Sequence, residues 1–242
     1  MHAELEAELQ RAAEIQAQLL PQAAPDVPGY AFAGLCLPSR HAGGDFFDWQ
    51  AEDGVVRIVL GDVMGKGMAA ALLMATARAA LRAVAHLPVA DAVAAVNRAL
   101  FPDLAPTDSF VTLFYAHLEA GTGVLHYVDA GHGMAVIRRR DGGAAVLGQG
   151  SLPLGILSDT VYQEHWETLV PGDTLVLYSD GLPDARPALA LDPEGVAAQL
   201  DGEGSAQEQL AHLVALAGPS LPDDLTLVLV RRLDPPGEGT SP

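Results

Sequence analysis

Val55-Val-Arg-Ile-Val-Leu-Gly-Asp62-Val63-Met64-Gly65-Lys66-Gly67-Met68-Ala69-Ala70 decides the fold. Its first half is a β-branched apolar run that stops at an aspartate, and a glycine-rich turn then leads into residues with helical spacing. The same order opens a dinucleotide-binding unit, and Gly65-Lys66-Gly67-Met68-Ala69-Ala70 fits G-x-G-x-x-A. Such a unit must return to a second parallel strand ending in an acid. Here Pro88 leads instead into Val89-Ala-Asp-Ala-Val-Ala-Ala-Val, a second helical pattern. A phosphate-binding P-loop fails too, because only three residues separate Gly61 from Gly65 and no Ser or Thr follows Lys66.

Outward from this stretch, β-type runs precede it at 30–37 and 45–50, and helices are predicted over 67–86 and 89–101. Further strands are predicted near 109–118, 124–129, 134–139, 144–147, 161–169, 174–179 and 225–232, with helices near 193–200 and 205–217. Gly121-Thr122-Gly123 and Asp141-Gly142-Gly143 supply the positive φ of hairpin turns. Antiparallel-looking strands with grouped helices indicate an α+β fold. Residues 3–20 are rich in helix formers, with Leu5, Ala12 and Leu19 seven apart. They fit a linker or dimerising helix, or equally a helix docked on its own domain. The expected organisation is 1–22 as N-terminal helix, 23–233 as the globular domain and 234–242 as a disordered tail.

With 13 Lys+Arg against 31 Asp+Glu, the chain carries a formal charge of −18. That charge opposes binding to nucleic acid or an anionic membrane surface, while a 50% hydrophobic content excludes a disordered acidic chain. The apolar run from Met68 to Leu87 is interrupted by Arg78, Arg82 and His86 on one helical face, so it reads as amphipathic rather than membrane-spanning. The acidic N-terminus has no leader pattern, and the cytoplasm is the expected compartment. The single cysteine, Cys36, lies in an apolar run and reads as a core residue.

Four turns carry aspartates: Gly43-Gly44-Asp45-Phe46-Phe47-Asp48, Gly61-Asp62, Tyr178-Ser179-Asp180-Gly181 and Pro222-Asp223-Asp224-Leu225-Thr226. Asp62 and Asp180 end apolar strands and Asp223 begins one. Carboxylates and carbonyls without a His or Cys cluster suit hard cations such as Mg²⁺ or Mn²⁺. Asp-Gly is also ordinary turn chemistry, and spacing alone does not make the four turns converge.

The series GGDFFD, GDVMGKG, DAGH (129–132), LPLGIL (152–157), YSDG and DDLT resembles, in that order, the bacterial SpoIIE/RsbU-type branch of the metal-dependent PP2C (PPM) phosphatases. The resemblance implies an α-β-β-α sandwich of two antiparallel sheets flanked by helices, with two Mn²⁺ or Mg²⁺ ions at one edge. It assigns Asp62 as the bridging ligand with the Val63 carbonyl beside it, Asp45 to one metal, and Asp180 and Asp223 to the other. Asp224 matches a neighbour of the ligand, and Asp48 either an outer shell or a turn cap. The implied reaction is hydrolysis of phosphoserine or phosphothreonine by a metal-activated water. The implied substrate is a STAS-type anti-sigma-factor antagonist in bacterial partner-switching signalling.

Several positions depart from the pattern. Met64 stands where animal-type enzymes have a histidine, His41 where an acid is frequent, and Pro183 with Asp184 alters the run after YSDG. Arg40 and Lys66, the only lysine, are candidate phosphate contacts. His132 reads as a buried structural residue. A catalytically degenerate scaffold that binds a signalling partner and a small-molecule phosphoesterase are the alternatives.

Overall fold

The computed structural model describes residues 2–148, 150–200 and 202–235. In chain order it runs α1 (His2–Leu19), β1 (Tyr30–Leu37), β2 (Phe46–Glu52), β3 (Val55–Val63), α2 (Met68–Ala83), α3 (Val89–Leu104), β4 (Val111–Glu119) and β5 (Val124–Ala130). It continues through β6 (Ala135–Arg138), β7 (Ala144–Val146), β8 (His165–Thr168), β9 (Thr174–Tyr178), α4 (Gly181–Ala185), α5 (Pro193–Ala198), α6 (Ala206–Ala217) and β10 (Leu225–Arg232). One five-stranded sheet has the order β1-β10-β9-β6-β7, the other β2-β3-β4-β5-β8. Every pairing between named strands is antiparallel.

Alternation along the strands builds the layers. In β4, Phe114, Ala116 and Leu118 face the other sheet. Val111, Leu113 and Tyr115 face α2 and α3, against Met74, Ala77, Val93 and Val96. On the far side, Val176, Tyr178, Leu227 and Leu229 pack on Leu210 and Leu213 of α6. The result is the expected α-β-β-α sandwich. Helix α6 starts at a capping box, in which the Ser205 hydroxyl accepts from Glu208 N–H and the Glu208 carboxylate accepts from Ser205 N–H.

Most element bounds agree with the sequence reading to within a few residues. The predicted strand 161–169 pairs only over His165–Thr168; Tyr162 is buried in the helix-side core while Val161 is exposed. The short helix α4 was not foreseen. Residues 236–242 of the expected tail lie outside the described residues, and its first residue, Asp234, accepts a 2.6 Å bond from Arg140 Nη1. Helix α1 lies on its own domain: Gln16 Nε2 donates to the Gly43 carbonyl at 2.6 Å, and Gly43 N–H donates to Gln16 Oε1 at 3.1 Å. Among the described residues, no helix is long and apolar enough to cross a membrane.

Candidate metal centre

The antiparallel registers bring one end of each sheet to a common edge. Asp62 lies near the end of β3 opposite Thr112 of β4, and Asp45 directly precedes β2, where Phe46 pairs with Gly61. In the other sheet, Asp180 follows β9 and Asp223 precedes β10, whose Leu227 pairs with Tyr178. Carboxylate oxygens of Asp180, Asp184 and Asp223 lie within 4.8 Å of one another.

Charge repulsion marks the same convergence. Burial and the Asp180 charge push Asp62 up to about 6, with Asp223 and Asp224 adding to the rise. Burial and the Asp62 charge hold Asp45 well above the usual carboxylate range. Asp180 is raised by burial and then by Asp223 and Asp184. Asp45 is only 3% exposed, and its Oδ2 has no hydrogen-bond partner. A buried, unpartnered carboxylate oxygen beside a group of mutually repelling acids fits an all-oxygen site for divalent cations.

The backbone around Asp45 is shaped for close approach. A Cβ on Gly44 would lie 2.5 Å from the Val63 carbonyl oxygen, and one on Gly43 would lie 2.1 Å from Asp224 Oδ2. Side chains at these two positions would separate the loop from the strand end it lines. Asp224 holds this loop in place: its carboxylate accepts from Ser39 N–H (2.7 Å), the Ser39 hydroxyl (2.9 Å) and Gly44 N–H (2.9 Å). That hydrogen-bonding load separates Asp224 from Asp223.

Asp48 is not gathered with the other acids. Its Oδ2 pairs with Arg78 (3.1 Å) and Arg82 (2.7 Å) of α2, and its Oδ1 accepts from Trp49 N–H. Neither the outer shell nor a simple turn cap describes it; it ties β2 to α2. Lys66 donates to Asp223 (2.7 Å) and to the Pro222 carbonyl (3.1 Å), and the bond to Asp223 raises its pKa. Arg40 is exposed and close enough for its charge to oppose that of Lys66.

His132 Nε2–H donates to the Tyr178 carbonyl at 2.9 Å, and burial lowers the ring's pKa to about 4. It is thus a neutral brace holding β9 just before Asp180. Asp129 fixes that brace by accepting from His132 and Gly133 N–H. Cys36 Sγ donates to the Asp45 carbonyl, and burial raises the thiol's pKa far above its ordinary value. A thiol held protonated in this way is no nucleophile.

Asp184 is the acid that the sequence reading did not assign to the centre. Its signal was the four-residue spacing from Asp180 across a helix start, seen in the bond from Asp184 N–H to the Asp180 carbonyl. One helical turn places the two carboxylates on one face.

Comparison with known proteins agrees with this architecture. The chain is 27% identical over 239 residues to phosphoserine phosphatase RsbU of Bacillus subtilis, covering 95% of this chain and 71% of that one. The crystal structure of the RsbU and RsbW domains of a Mycobacterium tuberculosis protein superposes with a TM-score of 0.70 at 28% identity, covering 88% of this chain and 62% of that one. The SiaA-PP2C domain of Pseudomonas aeruginosa has the same fold, with a TM-score of 0.81 at 22% identity over 96% of this chain and 98% of that one. The profile of the family described as Stage II sporulation protein E (SpoIIE) matches residues 52–233. With that match spanning most of the sandwich, the chain belongs to the SpoIIE family and is a phosphatase of the RsbU/SpoIIE PP2C type.

Proposed function

We propose that the protein hydrolyses phosphoserine or phosphothreonine on a protein, using two Mn²⁺ or Mg²⁺ ions held at the common sheet edge. The observation that carries this reading is the gathering of Asp180, Asp184 and Asp223 beside Asp62, next to the unpartnered Oδ2 of Asp45. Asp62, from the strand end between the two sheets, is the residue suited to serve both cations, with the Val63 carbonyl. Asp45 would complete one ligand set, and Asp180 with Asp223 the other. Bound there, the cations would supply Lewis-acid chemistry, polarising a water and the phosphoryl oxygens. Lys66, which pairs with Asp223, and Arg40, close enough for its charge to act on Lys66, are the proposed cations at the mouth of the centre, able to orient a phosphate.

A phosphoserine substrate is supported by the relative whose name is phosphoserine phosphatase RsbU. A STAS-type anti-sigma-factor antagonist is the proposed substrate class, in keeping with a structural relative that joins an RsbU to an RsbW domain. The cytoplasm is the proposed compartment.

The test is turnover of p-nitrophenyl phosphate and of a phosphoserine protein with Mn²⁺, with chelator, and with Asp62→Ala. Loss of both activities in chelator and in the variant is the expected result. Chelator-insensitive turnover would overturn the metal mechanism, and no turnover of either substrate by the intact protein would favour a binding scaffold. Turnover of the aryl phosphate without the phosphoprotein would favour a small-molecule phosphoesterase.

A further inference from the structure

The LPLGIL segment holds none of the acids, yet the fold fixes it beside them. Val111 N–H donates to the Leu154 carbonyl at 3.0 Å, and Leu154 N–H returns a 2.9 Å bond to the Val111 carbonyl. Val111 pairs in turn with Val63, whose neighbour Met64 donates to the Phe110 carbonyl at 2.9 Å. Leu154 is therefore two strand spacings, about 10 Å, from the strand end that carries Asp62 and Val63.

The segment is held rigidly with apolar side chains turned outward. Leu154 is fully buried, but Leu152 is 44% exposed, Ile156 42% and Leu157 52%, and Met64 on the adjoining strand end is 41% exposed. The buried Asn97 of α3 is committed to this loop. Its Nδ2 donates to the Leu157 carbonyl (2.8 Å), and its Oδ1 accepts from Gly155 N–H (2.9 Å). Gly155 has a φ of +91°, and a Cβ there would lie 2.8 Å from Leu104 Cδ1, so the path of the loop is fixed. A preorganised apolar surface is what a binding contact requires, because little entropy remains to be lost on docking.

The geometry points to residues 152–157, with Met64, as a docking shelf for apolar side chains that flank the phosphorylated residue of the protein substrate. This rests on the phosphatase reading above and adds to it a source of substrate selectivity. An extended peptide advances about 3.3 Å per residue, so side chains two or three positions from a phosphoserine at the centre reach a shelf about 10 Å away. The net charge of the chain does not favour the docking: 31 acids against 13 basic residues disfavour long-range electrostatic capture of a phosphate ester. A rigid apolar surface two strand spacings from the strand end that carries Asp62 is a means of holding the flanking residues that this charge does not oppose.

The experiment compares three substrates with Mn²⁺: p-nitrophenyl phosphate, a phosphoserine peptide with Leu and Val flanks, and the same peptide with Asp and Lys flanks. Intact protein should favour the apolar peptide by about tenfold in kcat/KM, the discrimination that a buried aliphatic contact provides. Ile156→Ser with Leu157→Ser should abolish that preference and leave p-nitrophenyl phosphate turnover unchanged. A matching pair of changes at exposed apolar residues of two other strands, Trp166→Ser of β8 with Val146→Ser of β7, should keep it. If the aryl phosphate is turned over normally but the peptides are equivalent, or the preference survives in the shelf variant, the shelf alone is overturned. If the shelf variant converts a dimer to a monomer in sedimentation with the preference intact, the surface belongs to a second copy and the assignment also falls. No turnover of any substrate would overturn the phosphatase reading itself.

Discussion

Asp223 and Asp224 are adjacent in sequence and opposite in what they support. Asp224 is buried and accepts three hydrogen bonds that fix the Ser39–Gly44 loop, whereas Asp223 faces the acidic group and pairs with the half-exposed Lys66. Asp224→Ala leaves those donors without an acceptor, and a loss of about 3 kcal/mol in urea unfolding is expected. Mn²⁺ affinity should fall with it, since the same loop positions Asp45. Asp223→Ala should cost far less, because its ion pair is solvent-screened and its loss relieves repulsion on Asp62 and Asp180, yet it should remove most Mn²⁺ affinity in calorimetry. Equal destabilisation by both changes would contradict this division. Protonation at the centre gives a second expectation. Asp62 rises from the ordinary 3.8 to about 6, so the folded chain holds an extra proton between about pH 4 and pH 6. Stability from this group falls as pH rises through that window, and the penalty is complete above it. His132, lowered to about 4, acts in the opposite direction between about pH 4 and pH 6.5. The Mn²⁺-dependent part isolates the carboxylates, because the cation replaces the proton. The rise in Tm on adding Mn²⁺ should therefore be larger at about pH 7 than at about pH 5. An equal rise at both would count against Asp62 as a ligand.

At the scale of elements, the Gln16 side chain of α1 reaches the loop that leads to Asp45. The two bonds between Gln16 and the Gly43 main chain end two residues from Asp45, so the position of the helix and that of Asp45 are coupled. Gln16→Ala should weaken Mn²⁺ binding about tenfold, because a loop released from two hydrogen bonds of about 1 kcal/mol each must be ordered again when the cation binds, and it should lower stability in thermal unfolding by no more than those two bonds. Unchanged Mn²⁺ affinity would make α1 a passive cover. The helix itself was legible from its composition, but its docking was not. Gln16 is one polar residue on a partly buried face, and its contact is 27 residues away. The strands were legible for a physical reason. Alternation and glycine turns are local signals, so β1 and β10 were bounded at 30–37 and 225–232 as they occur. Their pairing with each other is non-local, and only the family resemblance supplied the two-sheet arrangement. The acids proposed as ligands were legible as turn aspartates. Asp48 and Asp224 were ambiguous because a partner arginine on α2, or a loop N–H, leaves no mark at the acid's own position.

For the whole molecule, the charge of −18 opposes the approach of any phosphate ester. Asp45, Asp62, Asp180 and Asp223 supply a small part of that charge, and cations at the centre would offset them. The rest acts at longer range and is screened by salt. The Debye length falls from about 30 Å at 0.01 M to about 8 Å at 0.15 M ionic strength. Over that interval kcat/KM for p-nitrophenyl phosphate, a dianion too small to use the apolar shelf, should rise a fewfold in the presence of saturating Mn²⁺. The apolar phosphopeptide should rise at least as steeply, because salt does not weaken an apolar contact. Arg40 and Lys66 give the opposite sign if they dominate. Two cations at the mouth would attract the ester locally, and screening them would lower kcat/KM as salt increases. The slope therefore decides whether substrate meets the field of the whole chain or that of two basic residues. A rate that falls with salt in the intact protein, and rises in Arg40→Gln, would place recognition at the mouth and not in the global field.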